Sequence, residues 1–155
     1  MQAQIDEQCV IRANSQFWEQ MLAMTLASVP RAEEFFVAAG HLYGCVALTG
    51  VWTGRIEVRL AERLAREATA AMLTQPVETV GAADLLDATR EIANMIAGLI
   101  KSSLPRPCSM AVPEAAIEAS GYLLPPAQQD SLAVVFRHGG GDPMMVRVWE
   151  QECLQ

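Results

Sequence analysis

The run ADLLDATREIANMIAGLIKSSL, from Ala83 to Leu104, constrains the fold more than any other part of the chain. Gly81 precedes it and Pro105 and Pro107 stop it, so it reads as one helix from about Ala82 to Ser103. Turning each residue by about 100° gathers Leu85, Ala88, Ile92, Met95, Ile96 and Leu99 on one broad face. A helix with one apolar side is not stable alone in water and requires a second layer to bury that side. On the opposite side Asp87, Glu91, Asn94 and Gly98 line up, with Glu91 and Asn94 one turn apart.

The rest of the chain supplies the second layer. In residues 54–60 the apolar Ile56, Val58 and Leu60 alternate with Arg55, Glu57 and Arg59, which predicts a strand with one covered and one wetter face. LYGCVALTGV, from Leu42 to Val51, predicts a strand before it, and Glu33 to Ala38 a shorter one. SLAVVFR and MMVRVW, joined through HGGGDP, predict a hairpin from Ser131 to Trp149. Cys108 to Val112 reads as a short strand, Ala115 to Ser120 fits either strand or loop, and Tyr122 to Asp130 reads as a loop. Two further helices are expected: Ser15 to Val29, ended by Pro30, and the alanine-rich Ala61 to Leu73. Hairpins favour an antiparallel sheet, so the expected fold is a single α/β (α+β) domain over residues 1–155. It has a mainly antiparallel sheet of about six strands packed against three main helices. Residues 1–30 are expected to form an N-terminal helical extension.

Charge narrows the functions open to such a domain. The chain carries 18 acidic residues against 11 Lys plus Arg, a formal charge of −7, and no basic run. A field of that sign repels phosphate backbones and anionic headgroups, so neither nucleic acid nor membrane is an expected partner. With no apolar bilayer span and no basic-then-apolar leader in the first residues, cytoplasmic residence is expected. The four cysteines (Cys9, Cys45, Cys108 and Cys153) lie far apart among apolar neighbours, which fits reduced thiols in that compartment. Gly139, Gly140 and Gly141 lack the following Lys and helix of a phosphate loop and suit a hairpin turn.

A charged outer face can do no more than keep a sheet-packed helix solvated. Two residues point further. Asn is a mediocre helix former, and Gly98 costs up to about 1 kcal/mol relative to Ala in a helix interior. Both sit on the polar stripe, where a missing side chain lets another molecule's backbone come close. The pattern therefore favours a contact site over an enclosed active site. His41 and His138 lie in other segments without ligand spacing, no Ser or Cys has a visible base partner, and no metal or cofactor is expected on this chain. A carboxamide is a very weak base, but it holds a water by giving one hydrogen bond and taking another.

The run from Asp87 through Glu91 and Asn94 to Gly98 resembles the signature helix of the CheX-like chemotaxis phosphatases, in the CheC/CheX/FliY group. The Gly54-Arg-Ile-Glu-Val strand leading into an alanine-rich helix, and Leu104-Pro105 before the later strands, are similar as well. The likeness extends from about Glu33 onward. It implies hydrolysis of the aspartyl phosphate of a phosphorylated CheY-like response regulator, with Glu91 pairing with the regulator's lysine and Asn94 orienting the water. Mg²⁺ would be held by the regulator, not by this chain. Asp87, Arg90, Gly98 and Lys101 would belong to the partner-binding surface. The alternative is a non-catalytic module that binds a receiver domain or signalling complex through the same face. Members with two sites carry a second Glu-x-x-Asn on the earlier helix. Here that helix has Glu62-Arg-Leu-Ala65 and Glu67-Ala-Thr-Ala70, so one site is expected. After Gly98 the family often has Asn, where this chain has Leu99. One-site relatives form dimers, which implies a homodimer here, joined through sheet edges near the last strands.

Overall fold

The computed structural model describes residues 5–30, 35–127, 130–139 and 141–151. The first helix, α1 (Glu7–Leu22), begins at Asp6, whose carboxylate accepts the Cys9 backbone N–H at 2.8 Å. It ends at Ala23, in the left-handed region at φ 52°, where the Met24 N–H reaches the Trp18 carbonyl at 3.0 Å. Residues 15–29 are therefore not one helix. Leu26–Val29 instead form β1, paired antiparallel with the late strand β8 (Ser131–His138). Four residues of apolar-polar mixture satisfy either period, and the open edge of β8 decides between them.

Strands β3 (Leu42–Gly50) and β4 (Gly54–Leu60) form the expected hairpin, followed by α2 (Glu62–Leu73) and α3 (Ala82–Lys101). Short strands β5 (Cys108–Met110) and β6 (Glu114–Ile117) pair with successive parts of β3, which settles the ambiguous 115–120 segment. Hairpin β8–β9 (Pro143–Glu150) closes the sheet against β4. Among the described residues the main sheet has seven strands, in the order β1-β8-β9-β4-β3-β5 with β6 also on β3, and each of these pairings is antiparallel. Part of the expected loop at 122–130 is a strand: β7 (Tyr122–Leu123) pairs with β2 (Phe36–Val37). Glu33 and Glu34, the start of the expected early strand, lie outside the described residues, as does Cys153. Cys9, Cys45 and Cys108 are free thiols.

The three helices share one face of the sheet. There Val46, Ile56, Val58, Val146 and Phe136 meet Phe17 and Trp18 of α1, Leu64 and Ala68 of α2, and Ile92 and Ile96 of α3 in one continuous core. The last two strands lie inside the sheet, with β9 between β8 and β4 and β8 covered by β1 from Val135 to His138. Among the described residues the edges open to another strand are β1, the uncovered start of β8, and β5 with β6.

The second face of the sheet is not the wetter face that alternation predicts. The β2–β7 pair lies on it, burying Phe35 and Val37 against Val135 and Met145. Glu57, only 6% exposed, accepts from Arg55 Nε at 2.9 Å. The Arg59 guanidinium stacks on Tyr43 and Tyr122, at 4.7 and 3.9 Å from the ring centroids, and donates to His41 Nε2 at 2.8 Å. His41 is buried and its Nδ1 faces the Ala38 carbonyl at 2.9 Å, so its neutral form suits both contacts, and burial holds its pKa below 6.5. Trp149 lies against Arg147 and Arg55 on the same face, whereas Trp18 and Trp52 are core residues.

Candidate functional site

Small residues set the roll of α3. Glycine at position 44 on β3 leaves room for it: a Cβ there would come within 3.1 Å of Ala93 and 3.2 Å of Thr89. Thr89, Ala93, Ala97 and Ile100 are all buried, while Met95 and Leu99 are only half-buried. The buried arc is thus turned toward the alanines relative to the face expected from the largest side chains. Bulk alone points to Leu85, Ile92 and Ile96, which are buried in the same core. The closest approach to the sheet is made by side chains too small to register as a hydrophobic peak. At its start α3 is held by Asp84, which accepts the Gly81 backbone N–H at 3.2 Å.

That roll carries the polar stripe outward. Asp87 and Glu91 are exposed, and Asn94 and Gly98 are partly exposed. Residues three apart on a helix have Cβ atoms about 5–6 Å apart, so the Glu91 carboxylate and the Asn94 amide project side by side. Neither makes a side-chain hydrogen bond or ion pair with any described residue. Asp87 is otherwise engaged: it accepts from Arg90 at 2.7 Å in an exposed pair one turn before Asn94. The structure therefore brings Asp87, Arg90, Glu91, Asn94, Gly98 and Lys101 onto one side of one helix, with Lys101 in its last turn.

Among the described residues no three His, Cys, Asp or Glu side chains are grouped to hold a metal ion. No helix there is long and apolar enough to cross a membrane. A free carboxylate beside a free amide can bind a cation and a water brought by another molecule. One neighbouring feature is not legible in the sequence: after α3 the chain folds back, so that Arg106 and Lys101 line the same cleft. The only hint is that Arg106 sits between the two prolines that end the helix.

An antiparallel sheet of this order, with three helices on one face and a polar stripe on the third, defines a domain of the CheC/CheX/FliY chemotaxis phosphatase superfamily. Within it the chain belongs to the CheX family, described as chemotaxis phosphatase CheX, which matches residues 42–137. Chemotaxis protein CheX from Vibrio vulnificus is similar over 94% of this chain and 95% of its own, with a TM-score of 0.73 and 18% identity. CheX from Desulfovibrio desulfuricans covers 93% of this chain and 97% of its own at TM-score 0.71 and 18% identity. CheX of Borrelia burgdorferi, solved as a CheX-CheY-BeF3-Mg²⁺ complex, covers 96% of this chain and 100% of its own at TM-score 0.69 and 16% identity. At such identities the structural likeness establishes the fold and leaves the chemistry to the residues. No functionally curated protein matches the sequence significantly.

Proposed function

We propose that this chain is a cytoplasmic phosphatase that hydrolyses the aspartyl phosphate of a CheY-like response regulator. The observation that carries the reading is the pairing of Glu91 and Asn94 on the outward side of α3, with no partner for either among the described residues. Family membership and the CheY bound by the Borrelia CheX support it.

An acyl phosphate is already activated, so the difficult part of its hydrolysis is placing a water in line with the phosphorus. In this reading Asn94 enters the regulator's site and holds that water, accepting from it through the amide oxygen and donating through the amide nitrogen. Glu91 pairs with the regulator's lysine, which fixes the register of the two proteins. The regulator contributes the aspartate, the acidic pocket and the Mg²⁺ that screens phosphate charge, so this chain supplies no metal ligand. Two such chains form a homodimer through a sheet edge.

The test is phosphate release from an acyl-phosphorylated CheY-like regulator in Mg²⁺. The parent chain should speed release, and Asn94→Ala should lose about 10²-fold of that acceleration while still binding the regulator. An Asn94→Ala protein as fast as the parent removes the water-positioning role. Regulator binding with no acceleration by the parent would instead make the chain a non-catalytic receiver-binding module.

A further inference from the structure

The stripe continues past Asn94. Gly98 follows about 6 Å further along the axis and Lys101 about 10 Å further, at about 1.5 Å per residue. Beyond α3, Pro105, Arg106 and Pro107 fold back, and between them and the last helical turn lies an open cleft of 440 Å³. Gly98, Leu104 and Cys108 are among the residues that line it.

Two observations set this cleft apart. A Cβ built on Gly98 meets no atom within 4 Å, and the residue lies in ordinary helical backbone. The fold therefore has no internal use for glycine there, although glycine weakens a helix. At Gly44, by contrast, a Cβ would press within 3.1 Å of Ala93 on α3. The second observation is charge. Lys101 and Arg106 are the charged residues of the lining, and no carboxylate joins them, in a chain whose formal charge is −7. Neither cation has a hydrogen-bond or ion-pair partner among the described residues. Lys101 also complements the C-terminal end of the helix dipole, but that accounts for nothing at Arg106, which lies outside the helix.

We infer that this cleft seats an acidic segment of the receiver domain, with Gly98 the point where the partner's backbone crosses α3 and Lys101 and Arg106 the charges that select it. The inference rests on the phosphatase reading and makes it more specific. A receiver whose phosphoryl group meets the water at Asn94 must carry that acidic segment within roughly 15 Å of the group, given the helical rise between Asn94 and the cleft. Receivers that lack it are poor substrates. Electrostatic selection of this kind acts on encounter and register rather than on the chemical step.

The experiment uses the full chain and the CheY-like receiver whose dephosphorylation it accelerates most, with BeF₃⁻ and Mg²⁺ to hold the receiver in its phosphorylated form. Binding is measured at low and high salt for the parent, Lys101→Glu/Arg106→Glu, and Gly98→Phe. The double reversal should weaken binding about tenfold or more at low salt and flatten its salt dependence, with the loss appearing in KM rather than kcat. Gly98→Phe should weaken binding by bulk while keeping the parent's salt slope. Unchanged melting temperatures show that each variant folds. If the reversal binds the receiver as the parent does, while Asn94→Ala still abolishes turnover, the cleft inference fails and the phosphatase reading stands. If the reversal instead converts a dimer of this chain to monomers without affecting receiver binding, the cleft belongs to a second copy and the inference is again overturned. If the parent binds no receiver and accelerates none, both fall.

Discussion

Helices α2 and α3 lie on the same sheet face, both alanine-rich on their buried sides, yet their polar sides are in opposite states. On α2 the charges are tied down within the fold: Arg66 pairs with Glu62 at 3.0 Å and donates to the Val80 carbonyl, and Arg63 pairs with Asp142 at 2.9 Å. Glu67 faces His138 at 3.6 Å. On α3 the pair one turn apart, Glu91 and Asn94, has no such contacts, and the helix ends beside two equally free cations. Charge density does not separate the two helices. What separates them is whether the polar groups are already engaged, and a group held within its own fold has little left to offer a partner.

Moving the amide between the helices tests this contrast most severely. Asn94→Ala combined with Ala70→Asn places Glu67 and an asparagine three apart on α2, reproducing the Glu-x-x-Asn spacing. The double variant should remain about 10²-fold slower than the parent in phosphate release, because Ala70 is partly buried and Glu67 lies beside His138 rather than open to a partner. Recovery of turnover would mean that spacing alone makes the site. A smaller effect is expected at the end of the stripe. Gly98→Ala puts a methyl into open space and should stabilise the chain by about 0.5–1 kcal/mol, roughly 1–4 °C in melting temperature for a chain of this size. A loss of stability would show that the fold does need glycine there. The smallest effect belongs to α2: Arg66→Ala, read by urea denaturation, should cost about 0.5–1 kcal/mol through its exposed pair and its bond to Val80, with phosphate release unaffected.

The parts of the fold that were legible are those where one period dominates a long run. Helix α3 and strands β3, β4, β8 and β9 announce themselves because each is a strongly apolar or alternating run of seven or more residues bounded on at least one side by Gly or Pro. Short elements did not. LASV carries no period long enough to choose strand over helix, and pairing with β8 chose for it. Tyr122-Leu123 became a strand only because Phe36-Val37 lay alongside. At the site, Glu91 and Asn94 were legible from spacing on a helix whose apolar side was unmistakable. Arg106 was not, because its proximity to Lys101 depends on the direction the chain takes after Pro105, and no local pattern encodes that direction.

The sequence by itself therefore determined which side of α3 is polar, which residues stand a turn apart on it, and that α2 lacks the matching asparagine. These follow from helical geometry, which is local. Tertiary structure decided how far α3 is rolled, since contact through Ala93 and Thr89 against Gly44 depends on the shape of another strand. It also decided which charges remain free, because Arg59 meets His41, Arg63 meets Asp142 and Arg66 meets the Val80 carbonyl only when separate segments are brought within a few ångströms.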